Sequence, residues 1–292
     1  MIYKLNKWNL INKKLNSRII SKDEKLKQIK SKVDFENIKS VFILRKLFDF
    51  MKKDKSLAII QYNKKLQKIL NLSINDYKEY SQLYSSIEIE LKPVDCIINN
   101  FINIPDDEKE YYHIYFDNSN EEIKRNYLTK REKVKTIKII INYQVTSFKG
   151  LFYQCKCISS IFFKKFKRIN ITDMSSMFRE CKSLKELNFT NFNTKNVTDL
   201  SSMFDGCSSL KELDLSNFNT NKVKYMNHMF YGCIYLEKIN ISNFDTINVI
   251  DMKSMFSWCS SLKELNFSSF DTKNVTNLSC MFFFKRIKSF KF

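Results

Sequence analysis

The sequence predicts an α/β solenoid of short parallel strands and short helical turns, preceded by a helical N-terminal segment and an α+β cap. Two observations carry this. The pair Met-Phe recurs at Met177-Phe178, Met203-Phe204, Met229-Phe230, Met255-Phe256 and Met281-Phe282, a period of 26, and cysteine keeps the same pitch at Cys181, Cys207, Cys233 and Cys259. With Met177 as position 1, apolar residues fall at positions 1, 2, 5, 8, 11, 13, 16, 21 and 24 of each copy. Such self-similarity marks a stack of repeats in which no copy can bury its apolar face alone.

In chain order, residues 1–33 are lysine-rich and sparsely apolar, a basic arm. Residues 34–86 read as a helical segment. Ile38, Val41, Phe42, Arg45, Phe48 and Met51 sit at helical spacing, Ile59, Tyr62, Leu66, Ile69 and Leu70 do so again, and a third helix is expected over 74–84. Over 87–146, the expected cap, the pattern turns β-like. Ile87-Glu-Ile-Glu-Leu91 alternates strictly, and Tyr111 to Phe116 and Lys135 to Ile141 read as strands. Val145, Thr146 and Phe148 are in phase with Ile171, Thr172 and Met174, so the cap runs into the first repeat.

Residues 147–292 hold five copies and a partial sixth. Within a copy, Val197, Leu200, Met203, Phe204 and Cys207 have the spacing of one helical face, with Thr198 at its N-cap. Leu213 and Leu215, one polar residue apart, have the spacing of a strand, and the strands are expected to form one parallel sheet. The Asn-Thr or Asp-Thr pairs at 193–194, 219–220, 245–246 and 271–272 mark a bend. After Met281-Phe282 the frame slips. Ile287, Phe290 and Phe292 then repeat the strand spacing one residue early, which predicts a last strand whose edge self-associates.

At this point the residues carry a resemblance. The run Met203-Phe-Asp-Gly-Cys-Ser-Ser-Leu-Lys-Glu-Leu-Asp-Leu-Ser-Asn-Phe-Asn-Thr resembles the 26-residue bacterial surface protein repeat of the BspA-like leucine-rich repeats, and the match spans 151–283. The resemblance implies a leucine-rich-repeat solenoid used for protein interaction or adhesion, without catalysis. The stretch from Ile43 to Leu70 resembles an F-box. That resemblance implies docking on a Skp1-like adaptor through 38–70, in a substrate receptor of a ubiquitin ligase. A plain three-helix segment is the alternative there, and a surface adhesin-like repeat protein the alternative for the chain.

Charge narrows the partners. The 292 residues carry a net +19, but 1–150 holds 30 basic and 19 acidic side chains while 174–283 holds 11 of each. Nucleic-acid binders carry a continuous basic stripe on the binding face, so the neutral repeats argue against that partner. The first ten residues hold no apolar run of the signal-peptide kind, and runs such as Val41 to Leu44 are far too short to span a bilayer. A cytoplasmic protein with no membrane span is therefore expected.

Chemistry is not expected. The in-phase cysteines lack Cys-x-x-Cys spacing and read as a ladder of small buried thiols, with no metal. With two histidines, His113 and His228, and three glycines, no catalytic constellation or phosphate loop can be assembled, so no catalytic residue and no cofactor is assigned. The reading is a non-catalytic protein-interaction scaffold. Its candidate contacts are the strand columns Glu186, Glu212, Lys238 and Glu264 (position 10) and Asn188, Asp214, Asn240 and Asn266 (position 12), lining the concave face. A second group is Tyr225, His228, Tyr231 and Tyr235, since aromatic anchors dominate interfaces.

Overall fold

The computed structural model describes residues 40, 42–44, 46, 63–69, 82–95, 98–130, 132–282 and 289–291. The chain divides into two compact bodies, Met1–Tyr77 and Lys78–Phe292.

In the first body, residues 42–44 and Lys46 are helical, as is α1 (Lys64–Ile69). Asn63 opens α1, its Oδ1 accepting the Leu66 N–H at 3.0 Å, the usual N-cap bond. Leu44 and Leu66 are buried, whereas Phe42 is 70% exposed. Phe42 therefore does not join the buried face that its helical spacing predicts. The rest of the F-box-like stretch 38–70 lies outside the described residues, as does most of the expected helix 74–84, of which Gln82, Leu83 and Tyr84 are helical.

The second body begins with a sheet. Strands β1 (Ile87–Pro93), β3 (Tyr112–Phe116), β5 (Ile137–Ile141), β6 (Ile158–Lys165) and β7 (Glu186–Asn188) lie in the order β3-β5-β1-β6-β7. A separate pair, β2 (Ile98–Asn100) with β4 (Tyr127–Thr129), is antiparallel. The period-2 alternation sets the register: Ile87 faces Ile141, Ile89 faces Ile139 and Leu91 faces Ile137, all six fully buried. β1 is also antiparallel to β6, and β6 is parallel to β7. The sheet thus passes from antiparallel to parallel where the 26-residue copies begin. Fully buried Arg168 ties that junction together, its Nη1 donating to the carbonyls of Asn142 (2.8 Å) and Val145 (2.9 Å). Burial pushes its guanidinium down to about 10.

From Ser147 onward each copy, or coil, lies on the next with a shift of 26. Single parallel bridges link Ser147 to Asp173, then Asp199, Tyr225, Asp251 and Asn277. Strands of three residues pair in parallel, β8 (Glu212–Asp214) with β9 (Lys238–Asn240) and β10 (Glu264–Asn266) with β11 (Ser289–Lys291). In the last pair Leu265 faces Phe290, a shift of 25. Among the described residues the one continuous parallel sheet expected from the sequence is instead a set of such pairs plus the bridge column.

The expected helical turn is a correction. No residue described in 147–282 is helical. Ser176, Ser202, His228, Ser254 and Cys280 adopt a left-handed φ, and so do Gln154, Glu180, Gly206, Gly232 and Trp258 four residues further on. A right-handed helix cannot run through such residues. Two tight turns follow one another instead, closed by Arg179 N–H to Ser176 O and by Cys181 N–H to Phe178 O, both 3.1 Å. The intervening N–H groups point to the next coil, as from Phe178 to Met203 O and from Glu180 to Asp205 O. These turns keep the three-and-four spacing of buried side chains, which is why the pattern reads as a helix. Thr198 is likewise no N-cap, since its hydroxyl donates back to Thr172 O at 3.2 Å.

Ladders fill the coil interior. Phe152, Phe178, Phe204, Phe230 and Phe256 stack ring on ring at centroid distances of 5.2–5.6 Å and nearly parallel planes. Among the described residues no helix is long and apolar enough to cross a membrane.

Candidate interaction surface

Two faces compete for the role of a binding surface. On the strand face Glu186, Asn188, Glu212, Asp214, Lys238, Asn240, Glu264 and Asn266 are all exposed. Most of them are already engaged. Asn188, Asp214 and Asn266 each use Oδ1 to accept the N–H two residues on (Thr190, Ser216 and Ser268, 2.9–3.0 Å), and Asn240 accepts both the N–H and the hydroxyl of Ser242. The position-12 column therefore forms Asx turns that end the strands. The hydrogen bond from Ser216 holds the Asp214 carboxyl below its ordinary range. At position 10, Lys238 Nζ meets Glu212 Oε1 at 3.0 Å, and Glu186 accepts the Ser160 hydroxyl at 3.1 Å.

The turn side differs. Reading down the columns, position 7 is serine in three coils (Ser183, Ser209, Ser261) but Tyr235 in the fourth, 57% exposed. Position 6 is Lys182, Ser208 or Ser260 elsewhere but Ile234 here, 37% exposed. Position 23 is Asp173, Asp199, Asp251 or Asn277, but Tyr225 in one coil, 40% exposed. Position 4 carries Gln154, Glu180, Gly206 and Gly232, then Trp258, 51% exposed. Large apolar groups thus replace small or polar ones on neighbouring coils.

Tyr231 and His228 belong to the same side. Their rings meet edge to face at 5.6 Å, and both are half-buried. Burial, then the Lys253 charge, depresses the His228 imidazole. One column further in, Arg179 Nε grips Asp205 Oδ2 at 2.9 Å. Asp205 is nearly buried, and burial outweighs the arginine and pushes its carboxyl up to about 6.

Of the residues picked from the sequence, the structure places Tyr225, His228, Tyr231 and Tyr235 on this turn side, away from the eight strand-column residues. Ile234 and Trp258 were not among them, although each stands out once its column is compared copy by copy.

The buried thiols are structural. Cys181, Cys207, Cys233 and Cys259 are buried free thiols donating to main-chain carbonyls, and burial pushes each well above the usual thiol range, Cys259 to about 12. Buried Thr194, Thr220 and Thr246 do comparable work, and the sequence had assigned them only to a bend. The Thr220 hydroxyl donates to Asp245 O at 2.9 Å and accepts the Asp245 N–H at 2.8 Å, and Thr194 and Thr246 do the same one coil away.

Residues 146–239 and 214–291 match a family model described as a Mycoplasma protein of unknown function, DUF285. Together the matches cover half of the chain. Among solved structures, a leucine-rich repeat protein from Bacteroides ovatus is similar at 16% identity over 47% of this chain, with a TM-score of 0.26. The alignment spans 41% of that protein's length. No curated protein matches the sequence.

Proposed function

The chain belongs to the DUF285 family, and on that premise we propose that its coils form a leucine-rich-repeat-type solenoid that binds another protein and performs no chemistry of its own. In this reading residues 87–146 cap the first coil, and the turn side between Tyr225 and Trp258 is the binding surface. One observation carries the choice of side. Tyr225, Ile234, Tyr235 and Trp258 expose apolar area where the equivalent positions of other coils are small or polar, while the strand-face groups are largely satisfied within the chain. Exposed aromatic clusters are the usual energetic centres of interfaces. Buried free thiols support a reducing compartment.

Site-specific photo-crosslinking in the native cell tests this. A photoreactive residue at Tyr235 is expected to give a discrete protein adduct, and one at Glu264 none. Adducts from Glu264 alone would move the surface to the strand side.

A further inference from the structure

The turn side contains a notch whose shape and charge say what fits it. Gly206 and Gly232 occupy position 4 of successive coils, with φ of 70° and 67°. A Cβ placed on Gly232 would meet nothing within 4 Å except the backbone of Gly206, at 3.7 Å. On one side the Glu180 carboxylate lies over Gly206, its Oε1 only 2.6 Å from where a Cβ would stand. In the same column of the following coil stands Trp258, half-exposed. Tyr231 precedes Gly232 and the exposed Ile234 and Tyr235 follow it, with Ile234 N–H closing onto Gly232 O at 2.8 Å.

Trp258 is costly where it stands. Its φ is +63°, a conformation that L-residues with bulky side chains rarely adopt and that glycine takes freely in the two preceding coils. Strain held at an exposed aromatic is what a binding surface retains and a scaffold discards.

Electrostatics selects the occupant. The carboxylates around the notch are paired: Glu180 with Lys182 (2.9 Å), Asp205 with Arg179 (2.9 Å) and Glu237 with Lys263. The main chain is also spent, since Gly206 N–H donates to Tyr231 O and Gly232 N–H to Ser257 O. Neither a charged side chain nor an added strand would find a complement here. We infer that the notch over Gly232 takes an uncharged apolar side chain from a neutral segment of a partner polypeptide, an inference that rests on the turn side being the binding surface.

The test uses the full chain and three sets of synthetic peptides of roughly 12 residues: neutral with a central Phe, Leu or Trp, lysine-rich, and glutamate-rich. Binding is read by fluorescence polarisation for the wild type, W258G and the double variant I234S/Y235S. The substituted residues are those that other coils carry at the same positions, so melting temperature is expected to hold. The neutral peptides should bind at least about tenfold tighter than both charged sets and change less than about twofold between roughly 50 and 500 mM NaCl. Both variants should weaken them about tenfold or more.

A charged set binding best, with loss in I234S/Y235S, would overturn the neutral occupant and leave the turn-side surface standing. Neutral binding that survives both variants would overturn surface and occupant together. Self-association abolished by W258G would name a second copy as occupant and overturn the inference, as would absence of binding by every set.

Discussion

The thiol of Cys207 donates a 3.0 Å hydrogen bond to the carbonyl oxygen of Phe178, one coil earlier. The bond repeats from Cys181 to Phe152 (2.8 Å), Cys233 to Phe204 (3.1 Å) and Cys259 to Phe230 (3.0 Å). Each cysteine thus fills the interior and satisfies a carbonyl that the turn leaves over, a pairing that a methyl group cannot supply. Reactivity should follow burial. In native protein, iodoacetamide should modify the exposed Cys280 rapidly and leave these four untouched until unfolding, as peptide mass spectrometry would read. Prompt native labelling of any of the four, or stoichiometric zinc in the purified protein, would refute the ladder.

Thr220 offers a sharper test of how the coils are joined. Its hydroxyl serves both the N–H and the carbonyl of Asp245. T220V keeps the shape and leaves both backbone groups without that partner, a loss of about 2–4 kcal/mol when each orphaned group costs about 1–2. Melting temperature should fall by roughly 5–12 °C. T220S retains the hydroxyl and should fall by less than half as much. Equal effects from the two variants would mean that packing, not the hydrogen-bond pair, holds this column.

How much of this was legible in the sequence depended on whether a residue's role is announced by hydropathy. Strands β1, β3 and β5 were, because Ile87, Ile89, Ile139 and Ile141 alternate with polar residues. The repeat register was as well. The helix was misread because Met203, Phe204 and Cys207 show the same spacing on two consecutive turns as on one helical face, and the left-handed residue before them is Ser202, with no glycine to flag it. Thr220 was assigned to a bend because a polar residue beside Asn219 looks like a turn signal, whereas it is fully satisfied inside the stack. Of the interaction surface, Tyr225 and Tyr235 could be named from the sequence. The engagement of Asn188 and Asp214 in their own Asx turns could not, since it depends on backbone conformation.

Asp205 predicts a pH dependence with a defined sign. Its carboxyl rises from an ordinary 3.8 to about 6 in the folded chain, so between those values the folded state holds more protons than the unfolded one. Stability then falls as pH rises through that window and stays lower above it. His228, depressed by burial, acts in the opposite direction over a higher range, and comparison with D205N cancels it. The melting temperature of D205N minus that of the wild type should be more positive at pH 7.5 than at pH 4, by a few degrees. A difference that does not change with pH would show that the Arg179 pair fully offsets the burial of Asp205.

Tyr225 should mark a place where stability has been given up for binding. In the same column Asp173 Oδ1 accepts the Ser175 N–H, Asp199 Oδ1 that of Ser201, and Asp251 Oδ1 that of Lys253, each at 2.8 Å. A tyrosine cannot make that short bond, because its hydroxyl sits at the far end of the ring. Y225D should restore the turn and gain about 0.5–1 kcal/mol, raising the melting temperature by roughly 1–4 °C. The same change removes one exposed aromatic from the turn side, so partner capture by the photoreactive Tyr235 position should weaken. A more stable variant with weaker capture is the expected result. If Y225D instead melts lower, the tyrosine is packing the coil, and its exposure is incidental to any interface.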